Sequence, residues 1–162
     1  MNIVLRELSQ EELEALAWGR CCIGSLSVVE GALPPPPLLL DVFHRIEAGA
    51  QVRWIAPWVF VDVDSDTVVG SGGFKGEPQA GRVEIGYGVA ECARNCGVAT
   101  YAVRELVRRA LADPNVEIVY AESRTDNTAS RRVLQKTGFK QVGGRYSDDD
   151  GWLDCWQIDQ AV

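Results

Sequence analysis

The sequence predicts a mixed α/β domain of about seven strands flanked by about four helices, with residues 1–162 forming one unit. Three observations carry this expectation. Apolar runs rich in Val, Ile, Phe and Trp occupy residues 58–90 and return from residue 116 onward, and segments of helical period with clear start and stop signals interrupt them. The chain of 162 residues, 46% hydrophobic and 24% charged, suits a single compact core, and no repeat, low-complexity tail or shift in composition marks a second one.

Each element follows from local chemistry. Ser9, with Glu12 three residues later, makes a capping box that starts a helix over about Gln10 to Trp18, ended by Gly19. Pro34 to Pro37 cannot enter a helix interior, but Leu39, Val42, Phe43 and Ile46 can line one, so a stiff loop should feed a second helix. "WVFVDVD" and "TVVGSGGF", joined by "DSDT", read as a hairpin, and "RVEIGYGVA" as the next strand. "RNCGVAT", Arg94 to Thr100, opens a helix in which Ala99, Ala102, Val103, Leu106, Val107, Ala110 and Leu111 recur at helical spacing. A strand "VEIVYAES", a helix from Asn127 to Thr137 closed by Gly138, and two strands, "FKQVGGRY" and "WLDCWQI", complete the chain.

Composition narrows the function. Five cysteines in spacings without paired CxxC argue for reduced thiols, with neither a disulfide scaffold nor a metal site. A net charge of −7 opposes a nucleic-acid partner and tolerates a cationic or amine substrate. No apolar run reaches the roughly 18 to 20 residues of a membrane helix, and "MNIVLRELSQEE" lacks the form of a signal peptide, so a cytoplasmic protein with no membrane contact is expected.

The chemistry concentrates around residues 84–100. A helix N-terminus presents unpaired N–H groups at the positive end of its dipole, and Gly97 and Ala99 keep the approach open for a phosphate, with Arg94 adding charge on the same loop. A tight strand-to-helix turn with a solvated arginine accounts for the same residues. Neither a P-loop nor GxGxxG is present. In "VEIGYGV" the alternation sets Val83, Ile85, Tyr87 and Val89 on an apolar face, and Glu84, Gly86 and Gly88 on a nearly bare one. Such glycines admit a ligand or a second backbone, or mark a bulge, and Glu84 is either a base at the end of the strip or a surface glutamate.

In order and spacing, "VEIGYGV", "ARNCGVAT", "VYAES" and "NTASRRVLQKTGF" resemble the acyl-CoA-dependent GNAT superfamily of N-acetyltransferases from Val68 to Ile158. "GFKGEPQAGRVEIGYGV" and the Asn127 segment are most similar to the branch holding ribosomal-protein alanine N-acetyltransferases. The resemblance implies a mostly antiparallel sheet splayed between its fourth and fifth strands, and acetyl-CoA as co-substrate. It implies that amides of Asn95, Cys96, Gly97, Val98, Ala99 and Thr100 hold the pyrophosphate, that the main chain of Tyr87, Gly88 and Val89 pairs with the pantetheine arm, and that Asn127 contacts the cofactor or the acetyl region. Asp126 and Asn127 are also good helix caps.

Glu84 matches the position of the base in several GNAT enzymes, and a strand amide near Val89 could meet charge on the carbonyl oxygen. Leu134 stands where a tyrosine often serves as the acid, and Ser130 matches a serine proposed for that role, unless it simply faces solvent. The implied reaction moves an acetyl group to a primary amine, on a protein N-terminus or a small molecule, by direct attack in a ternary complex. A CoA-binding sensor or structural module without turnover is the alternative. The acceptor is not legible, because Cys21 to Trp58 carries no motif, and a homodimer remains open. The single histidine, His44, reads as a helix residue, Cys96 as a small filler, Trp54, Trp58, Trp152 and Trp156 as core or pocket lining, and Asp148 to Asp150 as a solvated turn.

Overall fold

The computed structural model describes residues 1–159. Strand β1 (Ile3–Glu7) leads into α1 (Gln10–Ala17), followed by β2 (Ser27–Val28), α2 (Pro36–Glu47) and α3 (Val52–Ile55). Strands β3 (Trp58–Asp62), β4 (Thr67–Phe74) and β5 (Arg82–Val89) come next, then α4 (Val98–Leu111), β6 (Ile118–Arg124), α5 (Thr128–Lys136), β7 (Lys140–Ser147) and β8 (Gly151–Asp159). One sheet in the order β1-β3-β4-β5-β6-β8-β7 runs through the described residues, with β2 paired to the start of β4.

The local signals act as expected. The Ser9 hydroxyl accepts from Glu12 N at 3.1 Å while Glu12 Oε2 accepts from Ser9 N at 2.9 Å. Pro36 and Pro37 sit in the first turn of α2, where a missing N–H costs nothing, and Pro35 is its extended N-cap. Asn127 caps α5 and Gly138, at φ +94°, ends it.

The elements differ from the sequence reading in number and in bounds, while the sheet is mostly antiparallel as expected. Among the described residues there are eight strands and five helices rather than about seven and four; β2, two residues long, and α3, four, are too short for a periodic pattern, and the strands named from the sequence also omit β1. The first helix stops at Ala17, and β6 starts at Ile118 rather than Val116. The parallel pairs are β5 with β6 and β2 with β4, and the other strand pairs of the sheet are antiparallel.

Two apolar layers cover the sheet. On one face Val83, Ile85, Val119, Ala121 and Trp156 pack against Val103, Leu106 and Ala110 of α4 and Leu134 of α5. On the other, Leu13, Leu16, Leu39, Val42 and Phe43 of α1 and α2 cover Val59, Val61 and Val68. That second layer stops at the β3–β4 half, so over β5 and β6 the same face carries Glu84, Tyr120 and Glu122. Trp54, Trp58 and Trp156 are core residues, whereas Trp152 is exposed and edge-packed on Tyr146. No helix among the described residues is long and apolar enough to cross a membrane.

Candidate functional site

Strand β5 pairs with β6 only from Arg82 to Ile85, opposite Ile118 to Ala121. Beyond that, β6 continues with β8 as far as Arg124, while Gly86 to Val89 remain attached to β4 alone. The sheet is therefore splayed between β5 and β6, which are its fourth and fifth strands once the short β2 is set aside. Lys75 N donates to Glu84 O and Ala90 N donates to Val69 O, so the even residues of β5 turn their main chain toward β4. By alternation, the N–H and C=O groups of Tyr87 and Val89 face the opening. They form a strand edge beside which an extended polar chain could lie.

At the end of that edge the chain turns into α4. Asn95 and Gly97 adopt left-handed backbone at φ +61° and +80°, and a Cβ at Gly97 would meet nothing within 4 Å. Gly97 is the N-cap and offers no side chain, while Tyr101 N makes the first helical bond to Gly97 O at 3.0 Å. The amides of Val98, Ala99 and Thr100 thus lie ahead of the helical ladder, at the positive end of a 14-residue helix. Arg94, Asn95 and Cys96 are exposed beside them. The Val98 side chain is buried with Phe60, Val69 and Ala102, which leaves only its main chain for a ligand. The Cys96 thiol donates to Arg94 O at 3.4 Å.

Two hydroxyls meet at the mouth of the opening. The Tyr87 side chain crosses the α4–α5 face, where its oxygen lies 2.9 Å from Ser130 Oγ and 3.4 Å from the Ser130 carbonyl. Burial pushes the Tyr87 phenol up, partly offset by its bond to Ser130. Asn127 Oδ1 accepts from Ser130 N at 3.0 Å, fixing the first turn of α5. Ser123 points inward and accepts from the Trp156 indole at 2.9 Å. Leu134, a leucine without a hydroxyl, is fully buried in the core.

Glu84 lies on the opposite face. Its Oε1 accepts from Lys75 Nζ at 2.7 Å. The strip beside it is not bare throughout, because a Cβ at Gly86 would fall 3.0 Å from Lys75 Cε, so the lysine stem runs over that glycine. Gly88 is open, with nothing within 4 Å of a Cβ there. A cavity of about 320 Å³ opens here between the β4–β5 strip, from Ser71 to Lys75 and Gly86 to Gly88, and the segment Gly31 to Pro34 with Leu38. Farther along the face the Arg145 guanidinium holds the Glu122 carboxyl below its usual range, with bonds of 2.6 and 2.7 Å. Tyr120, which donates to Glu122 at 2.8 Å, is pushed up chiefly by burial, then by Cys155 and Glu122. A larger cavity of about 560 Å³, lined by Trp54, Glu77, Asp113 and Glu117, lies near the other end of β5 and β6. The unpaired strand edge and the open helix end, rather than volume, select the splay.

Sequence reasoning missed Lys75 and the Tyr87 hydroxyl, whereas the cavity wall at Gly31 to Leu38 falls within Cys21 to Trp58, the segment expected to shape the acceptor pocket. Lys75 was within reach, since a hairpin between "TVVGSGGF" and "RVEIGYGVA", which the sequence reading did not draw, sets a lysine opposite a glutamate. His44 lies exposed on α2, and among the described residues no group of His, Cys, Asp and Glu could hold a metal ion.

Comparison with known proteins gives the family and the fold. The N-acetyltransferase YjdG of Bacillus subtilis strain 168, itself described as uncharacterized, is 34% identical over 83 residues, which are 51% of this chain and 49% of that protein. The matched segment thus spans about half the length of that relative. Among solved structures, a spermidine N-acetyltransferase SpeG chimera from Vibrio cholerae and hSSAT superposes with a TM-score of 0.72 at 12% identity, covering 99% of this chain and 96% of its own. The ribosomal L7/L12 α-N-protein acetyltransferase RimL, in complex with coenzyme A, gives 0.69 at 15% identity, with 98% and 94% covered. At these identities the structures share the fold. The model of the acetyltransferase (GNAT) domain matches residues 2–140, most of the chain, and the protein belongs to that acyltransferase family.

Proposed function

We propose that the protein transfers the acetyl group of acetyl-CoA to a primary amine by direct attack within a ternary complex. The observation that carries this reading is the unpaired edge of Tyr87 and Val89 leading to the open N-terminus of α4 at Gly97. An acyl-CoA has the matching parts in the matching order, a pantetheine arm with amides and a pyrophosphate beyond it. The residues fit: the edge offers donors and acceptors in extended geometry, and a Cβ at neither Gly88 nor Gly97 would meet an atom within 4 Å.

In this reading the main chain of Tyr87 and Val89 aligns the arm, the amides from Asn95 to Thr100 with Arg94 hold the phosphates, and Asn127 fixes the turn that carries Ser130. Glu84 accepts the proton of the incoming amine once Lys75 has moved aside. The Ser130 hydroxyl, coupled to Tyr87, faces the leaving sulfur, and the Val89 amide meets charge on the carbonyl oxygen. The acceptor enters through the cavity between Gly31–Pro34 and the β4–β5 strip. Leu134, buried where the family's tyrosine acid often stands, favours the second reading, a CoA-binding module without turnover.

Acetyl-CoA should raise the melting temperature as ln(1 + [L]/Kd), and Gly97→Glu, which sets bulk and negative charge at the pyrophosphate, should abolish the shift in a variant that circular dichroism shows folded. An equal shift in that variant removes the phosphate-loop assignment. Release of CoA with any of a panel of peptide N-termini, amino acids, polyamines and aminoglycosides separates the enzyme from the silent module.

A further inference from the structure

We infer that Lys75 is an acetylation site of its own active centre, modified in cis by the acetyl group the protein carries. The inference rests on the acetyl-transfer reading above. The chain has three lysines, and Lys75 alone lines the 320 Å³ cavity beside Gly86, Tyr87 and Gly88. Its placement follows from the hairpin. Lys75 N donates to Glu84 O at 2.9 Å, so the two residues face one another across β4 and β5, and the side chain then runs over Gly86 to bring Nζ within 2.7 Å of Glu84 Oε1. A side chain in place of Gly86 would stand where the lysine stem passes, with Cε only 3.0 Å from the Cβ position. A primary amine therefore rests on the carboxylate proposed as base, next to the strand edge proposed for the pantetheine arm.

The ion pair does not lock this amine away. The Lys75 side chain is 55% exposed and that of Glu84 31%, and so open a pair is held weakly in water. The stem is unbranched and rotates freely.

The step balances. The ammonium of Lys75 gives one proton to the Glu84 carboxylate, and the freed nitrogen lone pair forms a C–N bond to the thioester carbonyl carbon. The C–S bond breaks with its electron pair on sulfur, and the second proton leaving the nitrogen goes to that sulfur. The products are an amide at Lys75, free CoA thiol and one proton, which Glu84 returns to solvent. The acetylated side chain carries no charge, so the modification dissolves the Lys75–Glu84 pair and leaves the acetamide in the cavity.

The other two lysines are internal controls, since Lys136 ends α5 and Lys140 begins β7, both exposed. The full-length protein is incubated with acetyl-CoA and no acceptor, and acetylation at each lysine is followed by peptide mass mapping. Lys75 should react at least about tenfold faster than Lys136 and Lys140, at a rate per molecule independent of protein concentration, as an intramolecular reaction requires. Glu84→Gln should slow Lys75 by at least about tenfold without changing the other two. Equal rates at the three lysines, a rate that rises with protein concentration, or no effect of Glu84→Gln overturns the inference. Melting with acetyl-CoA and turnover of an external amine are recorded on the same sample. Binding and turnover with an unmodified Lys75 refute this inference alone, and absence of binding refutes the acetyl-transfer reading together with it.

Discussion

The 2.9 Å contact between the Tyr87 and Ser130 hydroxyls makes a quantitative prediction about the leaving group. A thiolate needs a proton or a donor as the C–S bond breaks, and the position at which the family often supplies a tyrosine is here the buried Leu134. Tyr87→Phe keeps the ring and the main chain and removes one oxygen. Ser130→Ala keeps the amide that Asn127 caps and likewise removes one oxygen. Each loses one neutral hydrogen bond, worth about 1 kcal/mol net, so each variant should stay folded, with Tm lower by about 2–4 °C. If the two hydroxyls act as one donor, either change should lower kcat about 10²-fold, equivalent to about 2.7 kcal/mol of barrier. The double variant should then fall no further, whereas independent contributions would multiply to about 10⁴-fold. Because burial pushes the Tyr87 phenol above its ordinary value of 10.0, the donor stays protonated throughout the neutral range, and kcat should show no loss from it there. Single-turnover release of CoA, followed by chromatography so that the five cysteines do not react with a thiol dye, measures the chemical step. Multiplying effects would refute the shared donor, and single variants within about threefold of wild type would show that the sulfur leaves unassisted.

Two further outcomes concern stability. In Gly72→Ala the new Cβ would lie 2.7 Å from the Gly86 carbonyl oxygen, 2.8 Å from Tyr87 Cβ and 2.9 Å from Phe60 Cζ, so urea unfolding should show a loss of about 1–3 kcal/mol, while Gly88→Ala, which meets nothing within 4 Å, should stay within about 0.5 kcal/mol of wild type. Arg108 and then Arg109 hold the Glu105 carboxyl at about 2, against an ordinary 4.5. A depressed carboxylate stabilises the fold above pH 4.5 and loses that contribution as pH falls from 4.5 through about 2, and because the arginines are partly exposed the loss should be about 1 kcal/mol in urea midpoints, reduced in Glu105→Gln.

What could be read from sequence was what neighbouring residues decide among themselves. The capping box at Ser9 and Glu12, the apolar stripe of α4 and the alternation of β5 each involve residues a few positions apart, and each appears in the fold with its chemistry intact. Strand β2 has no such signal, since two residues become a strand only by lying against Thr67 and Val68 of β4. The same limit explains the site. Gly88 is open as the alternation suggests, but Gly86 is covered, because the hairpin register that sets Phe74 opposite Ile85 carries Lys75 to Glu84 and sends its stem across the glycine. Tyr87 was rightly an apolar-face residue as far as its ring goes. Its hydroxyl finds Ser130 only because β5 and β6 part after Ile85, which brings the first turn of α5 beside the gap.

That parting links the backbone reading to the side-chain reading. A closed sheet would spend the N–H and C=O groups of Tyr87 and Val89 on β6 and leave no edge for a ligand, so the proposed binding mode requires the opening. The opening exposes polar main chain in a chain that otherwise pairs its strands, and three features lie around it: the Tyr87–Ser130 bond on one face, the Lys75–Glu84 pair between β4 and β5 on the other, and the left-handed turn at Gly97 beyond. Two of the three use groups that the proposed chemistry needs free, a hydroxyl and a carboxylate. In the proposed reaction, a ligand that takes over those bonds replaces the contacts it displaces, so the same two pairs would position the hydroxyl and the carboxylate for use.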